Sequence, residues 1–235
     1  VLFRPGTTSS FFSPGGYTLF NVAGATAAQL TTLASQLTVL NGLPADSGWT
    51  YTFSTDASND ILLAIKSPSI LGIWKGSASK SWTGSTSNWS YGATPPVTSS
   101  TTIPQFAFDV AQFDSTGASK NPVTVDGTPH VGGIIFNSST AYTINAGADG
   151  SAIIMDASTA VASISDTLGS HTINAPVQLA SAVNVTVSNG QDTLTIAGPI
   201  SGAFKLTKLG IGTLVFTGTN TYDNVSYTSI GQVSQ

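Results

Sequence analysis

The stretch "KLTKLGIGTLVFTGTNTY", Lys205 to Tyr222, decides how the rest of the chain is understood. Polar and apolar residues alternate up to Gly210, and a second alternating run follows at once through Leu214 and Phe216. A period of two belongs to a strand with one buried face. Gly210, Gly212 and Gly218 cut the runs short, as corners do where a side chain would not fit. No residue in the stretch is placed to act as a nucleophile, an acid or a metal ligand. It is a structural segment, and any chemistry must come from elsewhere in the chain.

Composition narrows where that chemistry could lie. The 235 residues suffice for one large or two small domains with a sizeable core. With 40% hydrophobic residues, the chain does not lack the apolar surface that folding needs. Charged residues make up only 8%, against roughly a quarter in an average soluble domain. Every acid is Asp, with no Glu, and Ser, Thr and Gly are abundant. Such a chain favours short strands and turns over helices. A net charge of −4, with Arg4 and a few scattered lysines as the cations, excludes nucleic acid as a partner. Without cysteine there is neither a disulfide nor a thiolate metal site. No apolar run reaches the roughly 18–20 residues of a membrane span.

One segment is helical by its spacing. "TAAQLTTLASQLTVLNG" sets Leu30, Leu33, Leu37 and Leu40 on one face, with Thr26 and Gln29 as a capping box and Asn41-Gly42 as a stop. This predicts a helix over about 26–40. "WTYTFS" and "DILLAIK" come next as two strands joined by "TDASND". Residues 1–72 are therefore expected to form an N-terminal arm and an α+β segment packing on the β-rich remainder of the chain. From Phe106 onward come short β-prone runs at 123–125, 132–136, 142–144, 152–155, 171–173, 183–187, 192–198 and 213–218. Their even spacing fits a sandwich, a barrel or a parallel β-solenoid. Clean two-residue hairpin loops are scarce, Asn189-Gly190 being the best, and the runs are short and even. Both features favour the solenoid, over residues 73–235.

"GPISGAFKLTKLGIGTLVFTGTNTY" resembles the autotransporter-associated β-strand repeat of large secreted bacterial passenger proteins. Gly198, Ile200, Ser201, Gly202, Leu206, Lys208, Gly210, Gly212, Thr213, Leu214, Gly218, Asn220 and Tyr222 fall on its pattern. "IWKGSASKSWTGSTSNW" is similar to the Trp-rich opening that precedes such repeats, and "HTINAPVQL" to their intervening coils. After Tyr222 the pattern departs, since "DNVSYTSIGQVSQ" stands where the family continues with Gly-Gly-Thr-Thr. The resemblance implies an all-β, right-handed parallel β-helix, extracellular or at the cell surface, serving as scaffold or contact surface.

Parallel β-helices also host polysaccharide-degrading enzymes, so each candidate is weighed against its plainer role. Glycoside hydrolysis needs two carboxylates within a few ångströms, and the Asp residues are scattered beside turn residues. Asp56 and Asp60 come nearest to a cluster, where a loosely bound Ca²⁺ competes with turn chemistry, and turn chemistry is favoured. His130 and His171 show no Ser-His-Asp arrangement and are expected at the surface or in a ladder. Trp74, Trp82 and Trp89 could stack on a surface polysaccharide, as in an adhesin, or cover the open end of the solenoid or pack on its first coil, and the covering role is favoured. Four Asn-x-Ser/Thr sequons, at Asn88, Asn137, Asn184 and Asn224, are what such a composition yields by chance. No catalytic residue, cofactor or metal site is expected. The expected partners are copies of the chain joined head to tail, or neighbouring passenger coils. An apolar arm carrying Phe3, Phe11 and Phe12 would make the contact between copies.

Overall fold

The computed structural model describes residues 2–3, 15–39, 50–66, 70–91, 103–148, 150–158, 160–222, 224–227 and 233–234. The chain divides into two compact units, Val1–Pro68 and Ser69–Gln235. The division falls just ahead of the boundary read from sequence.

In the first unit, Asp60–Lys66 lies between Gly15–Asn21 and Thr50–Thr55, antiparallel to both. The turn before the central strand is set by Asp56, whose Oδ1 accepts from Ser58 N at 2.9 Å and Asp60 N at 3.0 Å. Asp56 and Asp60 thus serve a turn. The helix is Ala27–Ser35, and Thr26 and Gln29 form the reciprocal capping box. It ends well short of residue 40. After Gln36 the β-branched Thr38–Val39 leave the helix to pair in parallel with Leu2–Phe3, and Leu40 and Asn41-Gly42 lie outside the described residues. Leu30, Ala34 and Leu37 still share a face and bury against Ile61.

The second unit is a parallel β-helix of about five turns. The turns that begin at Val110, Gly133, Ala162 and Val183 each contribute to three sheets, and the turn that begins at Lys205 contributes to two of them among the described residues. Sheet I runs Trp89–Tyr91, Leu71–Trp74, Val110–Asp114, Gly133–Asn137, Ala162–Leu168, Val183–Val187, Lys205–Leu209 and Asn224–Tyr227. Sheet II runs Val123–Val125, Thr143–Ala146, His171–Ile173, Thr193–Ile196, Thr213–Phe216 and Val233–Ser234. Sheet III runs His130–Val131, Ile153–Met155, Val177–Leu179 and Ile200–Gly202. Every pairing is parallel except Trp89–Tyr91 against Leu71–Trp74.

Alternation inside each strand makes the core. Along sheet I, Ala111, Ile134, Ile164 and Val185 stand beside one another in successive turns, all buried. Sheet II stacks Ile173 on Ile196 and Phe216. Each such side chain contributes about 1.5–3 kcal/mol by leaving water. Residues between them, such as Ser163, Ser165, Thr186 and Thr195, face out half-buried and uncharged. Two inner positions break the pattern, with Lys208 beside Val185 and Asp166 beside Phe136.

Candidate functional site

The coil singled out by sequence occupies residues 198–222, and its pattern residues do three kinds of work. Leu206 and Leu214 fill the interior. Tyr222 packs on Phe216 with ring centroids 6.3 Å apart. The glycines let corners of neighbouring coils touch. A Cβ on Gly198 would lie against the Ala175 carbonyl, 2.5 Å from its carbon and 2.8 Å from Asn174 O. Gly210 has φ +76°, and a Cβ there would run into the Val187 backbone. Gly202, Gly212 and Gly218 are crowded in the same way by Leu179, Asn189 and Gly198 of the preceding coils.

Lys208 and Asn220 finish two corners by hydrogen bonding. Lys208 is 1% exposed and turns inward, yet its Nζ donates to Leu209 O at 2.7 Å and Gly210 O at 2.8 Å. Burial lowers its pKa while the two carbonyls hold the ammonium. Asn220 Oδ1 accepts from Ile200 N at 2.9 Å, and Thr221 N donates to Ile200 O at 2.8 Å. In earlier turns the matching acceptors are backbone carbonyls, Pro176 O for Ile153 N and Pro199 O for Val177 N. The Asn220 side chain thus stands in for a backbone carbonyl where the chain takes a different path.

At the other end of the solenoid the aromatic residues converge. Trp74, Trp82 and Trp89 are buried, with Trp89 5.1 Å from each of the other two rings and Phe113 within 6.3 Å of all three. Sugar stacking through these tryptophans is therefore corrected. A sugar needs an exposed ring face, and these faces are spent on one another and on the first coil. Trp82 Nε1 donates to Pro104 O at 2.8 Å and Trp89 Nε1 to Trp82 O at 2.9 Å, tying the cap together. Backbone bonds complete it, from Trp82 N to Thr124 O and from Thr124 N to Lys80 O.

Asn88, noticed in the sequence only as a sequon, is fully buried at the centre of this cap. Its Oδ1 accepts from Ala78 N and Ser79 N at 2.9 Å, and its Nδ2 donates to Ser79 Oγ and Ser81 O at 2.8 Å. All the hydrogen-bonding capacity of the amide is used inside the fold. Asp109 works similarly, accepting from the backbone N–H of Ile70, Gln105 and Phe106 at 3.0–3.2 Å. Burial pushes its pKa up to about 6 against those three donors.

The two histidines part company. His130 is exposed, with Nδ1 3.0 Å from Asp156 Oδ2. His171 is 2% exposed, opens the strand His171–Ile173 and stacks on Phe136 at 4.6 Å, in the ladder rather than at the surface. Among the described residues, no three His, Cys, Asp or Glu gather as a metal site. Phe3 stands in the strand Leu2–Phe3, while Phe11 and Phe12 lie outside the described residues. No helix of the described residues is long and apolar enough to cross a membrane. No protein-family model, curated protein or solved structure matches the chain.

Proposed function

We propose that the chain is a non-catalytic structural protein of the cell surface or extracellular space, of the autotransporter-associated repeat kind, joining copies of itself end to end into a fibre. The observation that supports this reading best is the unlikeness of the two solenoid ends. At one end the tryptophan cap and an antiparallel strand, Trp89–Tyr91, cover the first coil. At the other, Asn224–Tyr227 and Val233–Ser234 are the outermost strands of sheets I and II among the described residues. Such edges carry backbone N–H and C=O groups that take a further strand.

The donor strand would come from the N-terminal arm of the next copy, through the part carrying Phe11 and Phe12, since Phe3 is held by the pairing of Leu2–Phe3 with Thr38–Val39. Joining two different surfaces is a heterologous contact, which propagates as a filament unless a ring closes. The low charge, 8% of residues, leaves little repulsion between copies. The same edges would equally accept a following coil of a longer passenger chain.

Electron microscopy and light scattering of the purified protein, beside a variant lacking residues 1–16, separate the two arrangements. Filaments that lengthen with concentration, and vanish on deletion, are expected. A wild type that stays a monodisperse monomer at high concentration would leave the edges to coils of the same chain.

A further inference from the structure

Asp166 and His171 lie together in the middle of the solenoid, Asp166 in an inner row and His171 at the corner that follows it. Asp166 continues an inner ladder that runs Phe113, Phe136, Asp166, Val187 through successive turns. Its side chain is wholly out of water, and neither carboxyl oxygen has a hydrogen-bond partner among the described residues. An ionised carboxylate in such a place has no donor to compensate its lost hydration, whereas a neutral carboxyl costs far less.

His171 is neutral by its own geometry. Its Nδ1 accepts from Tyr142 N at 3.0 Å, so that nitrogen carries no proton. Its Nε2–H donates to Leu168 O at 2.9 Å, and Asp166 Oδ1 lies 3.8 Å from the same nitrogen. An imidazolium would lose the bond from Tyr142.

We propose that Asp166 and His171 form a neutral acid–base pair whose opposite proton linkages cancel, so that the middle coils stay closed to the same degree across the mildly acidic range. Burial, reinforced by the Asp192 charge, pushes the Asp166 carboxyl up to about 7. Burial lowers His171, against the Leu168 carbonyl and Asp192. Asp192 belongs to the next turn, and its Oδ2 accepts from Gly169 N at 2.8 Å. On the other side, the Tyr142 phenol donates to Asp114 O at 2.7 Å. The flanking strands Gly133–Asn137 and Val183–Val187 bring no titratable side chain, and Lys208 is engaged at its own corner.

The signs of the two linkages are opposite. Asp166 alone, raised when folded, stabilises the closed coil fully below about pH 4 and loses that effect as pH climbs to about 7. His171 alone, depressed when folded, stabilises above about pH 6.5 and loses the effect as pH falls toward its folded value. Between about pH 4 and 6.5, for as long as the folded imidazole stays neutral, opening the coil moves one proton from acid to imidazole and exchanges none with solvent.

Hydrogen exchange at the amides of Tyr142, Gly169 and Ser188, corrected for intrinsic rates, reads the opening constant. In Asp166→Asn it should rise about tenfold per unit as pH falls below about 6.5. In His171→Gln, which keeps one acceptor and one donor, it should rise about tenfold per unit as pH climbs from about 4 to 7. The wild type should change less than about threefold between about pH 4.5 and 6.5. Equal slopes in both variants, or a tenfold-per-unit slope in the wild type, overturn the proposal. Carboxyl-carbon and imidazole-nitrogen NMR of the wild type decides the matter should a variant fail to fold. Asp166 protonated and His171 neutral at about pH 5.5 are expected, and an ion pair there overturns it.

Discussion

Replacing Gly198 by Ala tests whether corner glycines allow coils to stack. An added Cβ would stand 2.5 Å from the Ala175 carbonyl carbon, where anything under 3.0 Å forces a shift, so the coils must part by at least 0.5 Å (3.0 − 2.5). Gly198 N donates to Ile173 O at 3.1 Å, and that separation carries the bond to its limit. The neighbouring bond from Val177 N to Pro199 O, 2.9 Å, is stretched with it. Overpacking costs about 1–3 kcal/mol and each of the two weakened bonds about 1 kcal/mol, so a loss of about 3–5 kcal/mol is expected. Gly190→Ala is the control, because its Cβ would meet nothing nearer than 3.7 Å. That change should be neutral or stabilising, by less than about 1 kcal/mol. Urea unfolding gives the two stabilities, and amide exchange at Ala197 and Gly198 locates the damage. If Gly198→Ala costs no more than Gly190→Ala, close approach of backbones does not hold these corners.

Asn220→Ala should cost about 1–2 kcal/mol in urea unfolding by leaving Ile200 N–H without its acceptor, while Asn220→Asp, which keeps an oxygen there, should cost less. Lys208→Met keeps the apolar stem but strips the donor from Leu209 O and Gly210 O, for about 1–2 kcal/mol. Lys208→Ala also opens a cavity, and its urea midpoint should fall clearly further. Trp82→Ala should cost about 3–5 kcal/mol, with exchange protection lost first over Val110–Val125, and retention on a polysaccharide matrix unchanged.

The sequence disclosed what depends on local pattern. Runs 123–125, 171–173 and 183–187 coincide with strands because β-branched residues alternate cleanly there. Thr26 and Gln29 marked the helix start because a capping box is local chemistry. Its end was misplaced because Leu37 keeps helical spacing after the backbone has left the helix. The strand Ala162–Leu168 escaped notice, since Ala, Ser and Asp carry weak strand preference, and only pairing with both neighbouring turns makes it one. Alternation from Ala162 through Ile164 was the one signal that could have placed Asp166 inside. The tryptophans were legible as a cluster, but the direction their rings face is a tertiary fact. Asn88 carried a sequon and no hint of the four bonds that occupy it.

Where this solenoid places its polar side chains decides what one coil needs of the next. A flat strand pair satisfies its backbone through its neighbour, but a corner bends the chain and leaves carbonyls and N–H groups pointing away from the ladder. Here Lys208 supplies the missing partner within its own coil, and Asn220 supplies one to Ile200 of the coil before. The glycines, meanwhile, remove the side chains that would hold coils apart. Each coil therefore asks of the next only a backbone edge and an apolar inner row, which any coil of the same pattern provides. The capped end departs from this economy at every point. It adds an antiparallel strand, three interlocked tryptophans and a saturated asparagine, which together close the apolar interior of the first coil. In the proposed fibre, the contact with the capped end therefore brings its strand from outside the solenoid. That is why the proposed fibre depends on the N-terminal arm rather than on two solenoid faces meeting.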